Sequence, residues 1–258
     1  MNLLPVLLSL TPLAPTLPKK KPLDAVDVLY EASFTPKELC RITQGVVKNL
    51  KVFKDNRFVH ANIKPENIHL HKTPLDVHYT FLKIAQTEHS RLFTQKYPEG
   101  GTIGYKPPEH FDPDKRVSYV DKIDPWAAGV TLYFLCANDK ERFTFATLAA
   151  RRALGDKQLY PWIEKQRSIL SEHTERSSMA KLLFHLLDPN PETRWSADEA
   201  IQESAKLKIT DFMPFYSDVK QNAAMVSCLA TTIVTKQNPF YDNFSIELRS
   251  TNQLSHLP

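Results

Sequence analysis

Apolar residues recur along much of this chain at the spacing of an α-helix. Between residues 35 and 53 they fall three or four positions apart, at Leu39, Ile42, Val46, Leu50 and Phe53, which predicts one long amphipathic helix. Thr35 precedes Pro36, and Glu38 follows Thr35 by three positions. These are the signs of a capping box with proline in the first turn, so we expect the helix to begin there. Residues 22–32 predict a shorter helix before it.

Residues 123–136 are apolar almost all round, which predicts a helix buried on every side. Residues 179–187 and 197–207 predict amphipathic helices, and 222–234 predict a further one. Two short alternating runs, 68–71 and 79–85, flank Thr73-Pro74 and predict a β-hairpin. Residues 238–258 have no strong period, so we expect partial disorder there. The predicted fold is therefore mainly helical, with one short β-hairpin.

Composition narrows the functional classes. The chain has 258 residues and is 42% hydrophobic, enough for one sizeable core with extensions. Its net charge of +4 comes from interspersed charges of both signs, and no aromatic-basic pattern predicts nucleic-acid binding. The three cysteines, Cys40, Cys136 and Cys228, are odd in number and far apart. They suit neither a disulfide framework nor a zinc site, so we expect reduced thiols in a cytoplasmic or cytosol-like compartment.

The first 17 residues are apolar but interrupted by Pro5, Pro12 and Pro15. They lack the positive start of a signal peptide and are too short to span a bilayer. We expect an extended segment that lies on the folded domain, and we do not expect a membrane partner.

The most informative motif lies at residues 58–68, which read FVHANIKPENI. It resembles the catalytic loop of eukaryotic-type protein kinases, H-R-D-x-K-P-x-N. His60, Lys64 and Asn67 stand at the family positions, whereas Ala61 replaces the arginine and Asn62 replaces the aspartate.

Four further motifs follow in the family order. They are LKIAQTE at 82–88 in place of a strand ending in D-F-G, GTIGYKPPE at 101–109, DPWAAGV at 124–130 and DPNPETRWSA at 188–197. Five motifs in order are specific, so the chain is identified as similar to the helical C-terminal lobe of protein kinases. The expected organisation is an N-terminal proline-rich segment over 1–22, the kinase-like lobe over 23–207 and a C-terminal extension over 208–258.

The resemblance also implies what the site has lost. In kinases the loop aspartate accepts the proton of the substrate hydroxyl, and the aspartate of D-F-G and the loop asparagine hold magnesium. Asn62 cannot accept that proton at neutral pH, and the amide of Gln86 is a poor Mg²⁺ ligand. We therefore predict no confident catalytic residue among His60, Asn62, Lys64, Asn67 and Gln86, and no metal or nucleotide cofactor. Lys64 and Asn67 are interpreted as a solvated cleft residue and a cap of local backbone.

A complete kinase also needs an N-terminal lobe with a glycine-rich loop over the nucleotide phosphates. No glycine precedes Gly45, and Lys19, Lys20 and Lys21 lie between prolines. The sequence therefore predicts an N-lobe that is absent or vestigial. The strand histidines His69 and His71 have no third ligand nearby in the sequence, so they do not predict a metal site.

The residues that hold a kinase lobe together are retained. By resemblance, Glu109 and Arg194 form a buried ion pair, and Asp124 binds the backbone of the catalytic loop. Two functions remain open. One is a catalytically inactive pseudokinase that acts by protein–protein binding or scaffolding. The alternative is a divergent ATP-dependent protein kinase or kinase-fold transferase with residual activity, which alone would use ATP and magnesium.

Overall fold

The computed structural model of the protein describes residues 23–31, 33–72, 78–95, 97–116 and 118–212. Its helices, in chain order, are α1 (Ala25–Glu31), α2 (Pro36–Asp55), α3 (Pro113–Arg116), α4 (Ile123–Cys136), α5 (Asp139–Ala153), α6 (Leu159–Ser171), α7 (Ser178–Leu186) and α8 (Ala197–Ser204). Its strands are β1 (Leu23–Asp24), β2 (Phe58–Val59), β3 (Ile68–His71), β4 (Thr80–Ile84) and β5 (Arg91–Leu92). The mainly helical fold class is confirmed. The expectations for residues 1–22 and 222–258, including Cys228, lie outside the described residues.

Helix α2 begins as predicted. The Thr35 hydroxyl oxygen accepts a hydrogen bond from the Glu38 N–H at 3.3 Å, and the Glu38 carboxylate accepts one from the Thr35 N–H at 2.8 Å. The same carboxylate, which is buried, also accepts a bond from the Tyr79 N–H at 2.7 Å. The helix cap is therefore also a tertiary contact, because it holds the entry to β4 against α2.

The predicted β-hairpin is confirmed as strands β3 and β4, which pair antiparallel with Ile68 opposite Ile84. Strand β1 adds to the other edge of β3. Phe81 of β4 packs directly on α2 at Gly45, where an added Cβ would lie 2.2 Å from the Phe81 Cγ. Gly45 thus lets the hairpin approach the helix. A second small sheet, in which β2 pairs with β5, was not predicted.

Helix α4 is the centre of the molecule, and its prediction is confirmed. Every residue from Ile123 to Cys136 except Phe134 is buried. Helices α2, α5 and α7 pack around it. No helix among the described residues is long and apolar enough to cross a membrane. Cys40 and Cys136 are free and buried, and burial raises the pKa of the Cys136 thiol to about 12.

Other boundaries and elements differ from expectation. Helix α1 begins at Ala25 because Leu23 and Asp24 pair with β3 instead. Helix α8 ends at Ser204, three residues before the predicted end. Helices α5 and α6 were not predicted. Only Phe145 and Ala149 of α5 are buried, so its apolar periodicity is weak. Helix α6 does bury residues at helical spacing, namely Leu159, Ile163, Gln166 and Leu170, a signal that could have been found.

Candidate functional site

The loop that resembles a catalytic loop is anchored to the central helix by Asp124. The N–H groups of His60 and Ala61 donate to the Asp124 carboxylate at 2.7 and 2.8 Å. These bonds hold Ala61 at a φ of +60°, a conformation that is uncommon for a residue with a side chain. Burial raises the pKa of Asp124, while the two N–H donors favour its ionised form. The contact expected of Asp124 is therefore present.

His60 joins the loop to the end of the hairpin. Its Nδ1 accepts a bond from the Asn62 N–H at 3.3 Å, so its Nε2 carries the proton and donates to the Ala85 carbonyl at 2.7 Å. The ring is buried and stacks on Phe53 with a centroid distance of 5.6 Å. Both ring nitrogens are engaged within the protein, so His60 positions the backbone just before Gln86.

Asn62, at the position of the kinase general base, points its side-chain oxygen at the segment that follows. Its Oδ1 accepts bonds from the Thr102 N–H and from the Thr102 hydroxyl, both at 3.1 Å. The Asn67 side-chain amide donates to the Asn62 carbonyl at 2.7 Å. Asn67 thus caps local backbone, as its interpretation from the sequence predicted.

Thr102 can reach Asn62 because its neighbour is a glycine. Gly101 has a φ of +99°, and a Cβ there would lie 2.3 Å from the Ala61 carbonyl oxygen. The chain therefore crosses the loop at a distance that no side chain would permit.

Gln86 and Lys64, the other two positions of the kinase-like site, are more exposed to solvent than His60 and Asn62. Gln86 is exposed, two residues after β4. The Lys64 ammonium lies 3.8 Å from the Glu66 carboxylate, and its side chain is 20% exposed. In the part of the chain that the structure describes, no three His, Cys, Asp or Glu side chains form a group that could hold a metal ion. The histidines His69 and His71 share one face of β3, the first half-buried and the second exposed.

The ion pair expected between Glu109 and Arg194 is present and bidentate. Arg194 Nη1 lies 2.6 Å from Glu109 Oε1, and Nη2 lies 2.9 Å from Oε2. The two side chains are 2% and 0% exposed. Arg194 also donates to the carbonyls of Asp188 and Lys122, and its guanidinium lies over the Trp126 ring. Three parts of the chain are joined at this one side chain: the segment of Glu109, the beginning of α4 and the segment 188–194.

Sequence reasoning missed a second polar cluster in the same segment. The Lys106 ammonium nitrogen lies 2.6 Å from the Glu99 carbonyl and 2.9 Å from His110 Nε2, and His110 Nδ1 lies 2.9 Å from the Tyr97 hydroxyl. Lys106 and His110 are buried, and burial lowers the pKa of Lys106. The sequence places Lys106 within the motif at 101–109 and His110 directly after it, but nothing in the sequence indicates that the two side chains meet.

The arrangement of loop, hairpin, central helix and buried ion pair defines a protein-kinase-like helical lobe. In agreement, the protein kinase domain model matches residues 17–212. The chain therefore belongs to the protein kinase family.

Individual relatives are more distant. The chain is 31% identical over 112 residues to a probable myosin light chain kinase of Dictyostelium discoideum. The matched region is 42% of this chain and 35% of that protein. It is 28% identical over 188 residues to a serine/threonine-protein kinase H1 homolog of Pinctada fucata. Here the matched region is 68% of this chain and 40% of that protein. The chain thus spans well under half the length of these relatives.

Proposed function

We propose that this protein is a catalytically inactive member of the protein kinase family that acts by binding other proteins. The observation that carries the proposal is Asn62 at the general-base position, with its side-chain oxygen accepting two hydrogen bonds from Thr102. An amide does not take a proton at neutral pH, and loss of a general base typically lowers a rate by about 10²–10⁴.

The donor chemistry around the cleft suits a magnesium nucleotide poorly. Mg²⁺ prefers carboxylate and water ligands, but the position that follows β4 holds the neutral amide of Gln86. Asn67 commits its amide nitrogen to the loop backbone. Glu88 is 80% exposed and would repel phosphate in the absence of a metal. These features support a protein that uses neither ATP nor magnesium.

The pattern of retention supports a role for the fold itself. Asp124 and the Glu109–Arg194 pair keep the contacts that hold the lobe together, whereas positions 62 and 86 have lost their carboxylates. A sequence of this kind specifies a stable lobe without the groups that handle phosphate.

A protein partner is supported by exposed apolar side chains. Phe143 and Leu154 are 68% and 89% exposed, and they stand eleven positions apart at the beginning and just beyond the end of α5. Eleven positions are close to three helical turns, so both belong to nearly the same face. Leu82 of β4 is 48% exposed as well. Large exposed apolar side chains that share one face are typical of interaction surfaces.

The alternative function is a divergent kinase or kinase-fold transferase with residual activity. It is favoured by Lys64 and Asn67, which stand at the family positions, and by the kinase names of the relatives.

Nucleotide binding distinguishes the two functions. A ligand at 100 times its Kd stabilises a folded protein by about 2.7 kcal/mol, which a thermal melt detects easily. We expect the melting temperature to stay unchanged with ATP and Mg²⁺. A rise that Asn67→Ala abolishes would establish the alternative, because Asn67 is the surviving metal-binding position of the kinase motif. A surface variant, Lys165→Ala, is the matched control for that substitution.

A further inference from the structure

Three hydrogen-bonded side chains connect the two ends of the segment that crosses the catalytic-type loop at residues 58–68. We name the hydrogen-bonded set Tyr97, His110 and Lys106 the latch, and residues 97–106 the closing segment. His110 lies in the 3-10 helix Pro108–Phe111, and its two ring nitrogens bond Tyr97 at the start of the closing segment and Lys106 at its end. The Lys106 ammonium also binds the Glu99 carbonyl within the segment. The latch therefore adds side-chain contacts to the two backbone hydrogen bonds in this segment, from the Tyr105 N–H to the Thr102 carbonyl and from the Lys106 N–H to the Ile103 carbonyl.

The contact between Lys106 and His110 limits how many protons the latch can hold. Its two nitrogens are 2.9 Å apart, so one of them must supply a lone pair to the other. Either the Lys106 ammonium donates to a neutral imidazole, or the His110 Nε2–H donates to a neutral amine. With both groups protonated, two donors and two positive charges would face each other in a buried place, which costs free energy because neither charge is well hydrated.

The structure describes several other charged and titratable groups around the latch. The negative charge of Glu99 favours the protonated form of Lys106, and the charge of Lys106 in turn acts on His89. The Tyr160 hydroxyl of α6 donates to the Lys106 carbonyl, so it holds the backbone and not the ammonium. On the outer side, the Arg152 guanidinium lies over the Phe111 ring next to His110, and Glu109 is occupied by Arg194.

The closing segment that the latch joins also covers the catalytic-type loop. Thr102 lies within the closing segment and donates twice to the Asn62 side chain, while Gly101 lies against the Ala61 carbonyl. If the latch opens, these contacts lose the constraint that holds them in place.

We propose that the latch is a proton-sensitive device that keeps the closing segment over Asn62 at neutral pH and releases it when a second proton enters the Lys106–His110 pair. Free histidine gains its proton near pH 6.5. Opening that takes up one proton changes its equilibrium by up to about tenfold for each pH unit below that value. The segment is therefore closed above about pH 6.5 and opens progressively below it.

Amide hydrogen exchange of the full chain, corrected for the intrinsic rate at each pH, tests the proposal. The N–H groups of Thr102, Tyr105 and Lys106 are hydrogen-bonded in the closed segment, so their protection reports its opening. We expect their protection to fall about fivefold between pH 6.5 and 5.5, because a free histidine is already about half protonated at the upper value. Burial lowers the pKa of His89 and His185, which also weakens the whole fold in acid. Helix α2, which contains no histidine, therefore serves as the reference, and its protection should fall less.

Two variants identify the group responsible. In His110→Gln the side-chain oxygen can accept from Lys106 and the amide can donate to Tyr97 without titrating, so the fall in protection should disappear. Lys106→Met removes the charge that faces His110 and should also reduce the fall in protection. It provides a second test if His110→Gln folds poorly. His71→Gln, an exposed histidine of β3, should behave as wild type. An equal fall in wild type and His110→Gln, an equal fall in the closing segment and α2, or no fall in wild type would each overturn the proposal.

Discussion

At the scale of single residues, buried polar side chains do most to define this protein. Arg194 donates four hydrogen bonds and lies over the Trp126 ring, and two of the four bonds go to the Glu109 carboxylate. Asn62 meets the closing segment, and Asp124 meets the loop. In each case one side chain makes hydrogen bonds with groups that lie far from it in the sequence.

Removing Arg194 should destabilise the fold strongly. Breaking one side of a buried ion pair typically costs about 3–5 kcal/mol, because the other charge is left buried and unpaired. Urea denaturation of Arg194→Ala, with the exposed Arg176→Ala as control, measures this cost. In a double-mutant cycle, Glu109→Ala with Arg194→Ala should lose less than the sum of the single variants. A loss below about 0.5 kcal/mol, the range of an ordinary surface substitution, would contradict the ion pair.

Two glycines with positive φ provide a matched comparison at the same scale. Gly101 has a φ of +99° and faces the Ala61 carbonyl, whereas Gly155 has a φ of +94° and no atom within 4 Å of an added Cβ. Alanine at either position should cost about 1–2 kcal/mol for the backbone conformation. Gly101→Ala should cost about 1–3 kcal/mol more, because the methyl group overpacks the loop. Equal losses in unfolding free energy would show that the close contact is not important.

At the scale of elements, the hairpin and helix α2 depend on each other. Glu38 connects the helix cap to the backbone of Tyr79, and Gly45 lies under Phe81. Strand β1 extends the sheet on its other side. A short hairpin is only marginally stable alone, so this packing is what keeps it in place.

Gly45→Ala should destabilise the protein even though alanine is the better helix former. Helix propensity alone would stabilise α2 by about 1 kcal/mol, but the new methyl group would lie 2.2 Å from the Phe81 Cγ. Thermal melts should therefore show a lower melting temperature. In a Phe81→Ala background the contacts with the ring atoms at 2.2 and 2.4 Å disappear, but the Cβ of residue 81 stays 2.5 Å from the new methyl group. The same substitution should therefore cost less there than in the wild-type background. Stabilisation in the wild-type background would mean that the hairpin does not approach α2 as described.

At the scale of the whole molecule, α4 connects the core to the candidate site. Asp124 at its beginning holds the loop, Trp126 lies under Arg194, and the Thr131 hydroxyl donates to the Ile63 carbonyl at 3.2 Å. The molecule is therefore organised around one buried helix, to which the catalytic-type loop is attached.

Restoring the two lost carboxylates should not create a kinase. In Asn62→Asp with Gln86→Asp, the carboxylate at position 62 would accept the same two bonds from Thr102, and phosphoryl transfer needs further groups that hold the phosphates. We expect no transfer from radiolabelled ATP to the protein itself or to a generic protein substrate. Robust transfer by the wild type with any nucleotide and metal would contradict the proposed function. Transfer by the double variant alone would show that those two positions are the whole defect.

The amino-acid sequence by itself determined the helices and the hairpin whose apolar positions repeat regularly, because burial of one face or of every face leaves a local pattern. It also placed the loop around His60, the central helix and the Glu109–Arg194 pair, since five motifs in order carry that information. The expectations of an absent N-lobe and of the domain limits concern features that the described residues do not test, so they stay predictions.

Only the tertiary structure decided the contacts between distant residues. Nothing local in the sequence indicates that Thr102 binds Asn62, that Lys106, His110 and Tyr97 meet, or that Leu23 pairs with Leu70. Helix α5 escaped prediction for a related reason, because it buries too few residues to show a period. Hydrogen bonds between separate segments depend on the path of the whole chain, and that path follows from packing around α4 and not from any single stretch of residues.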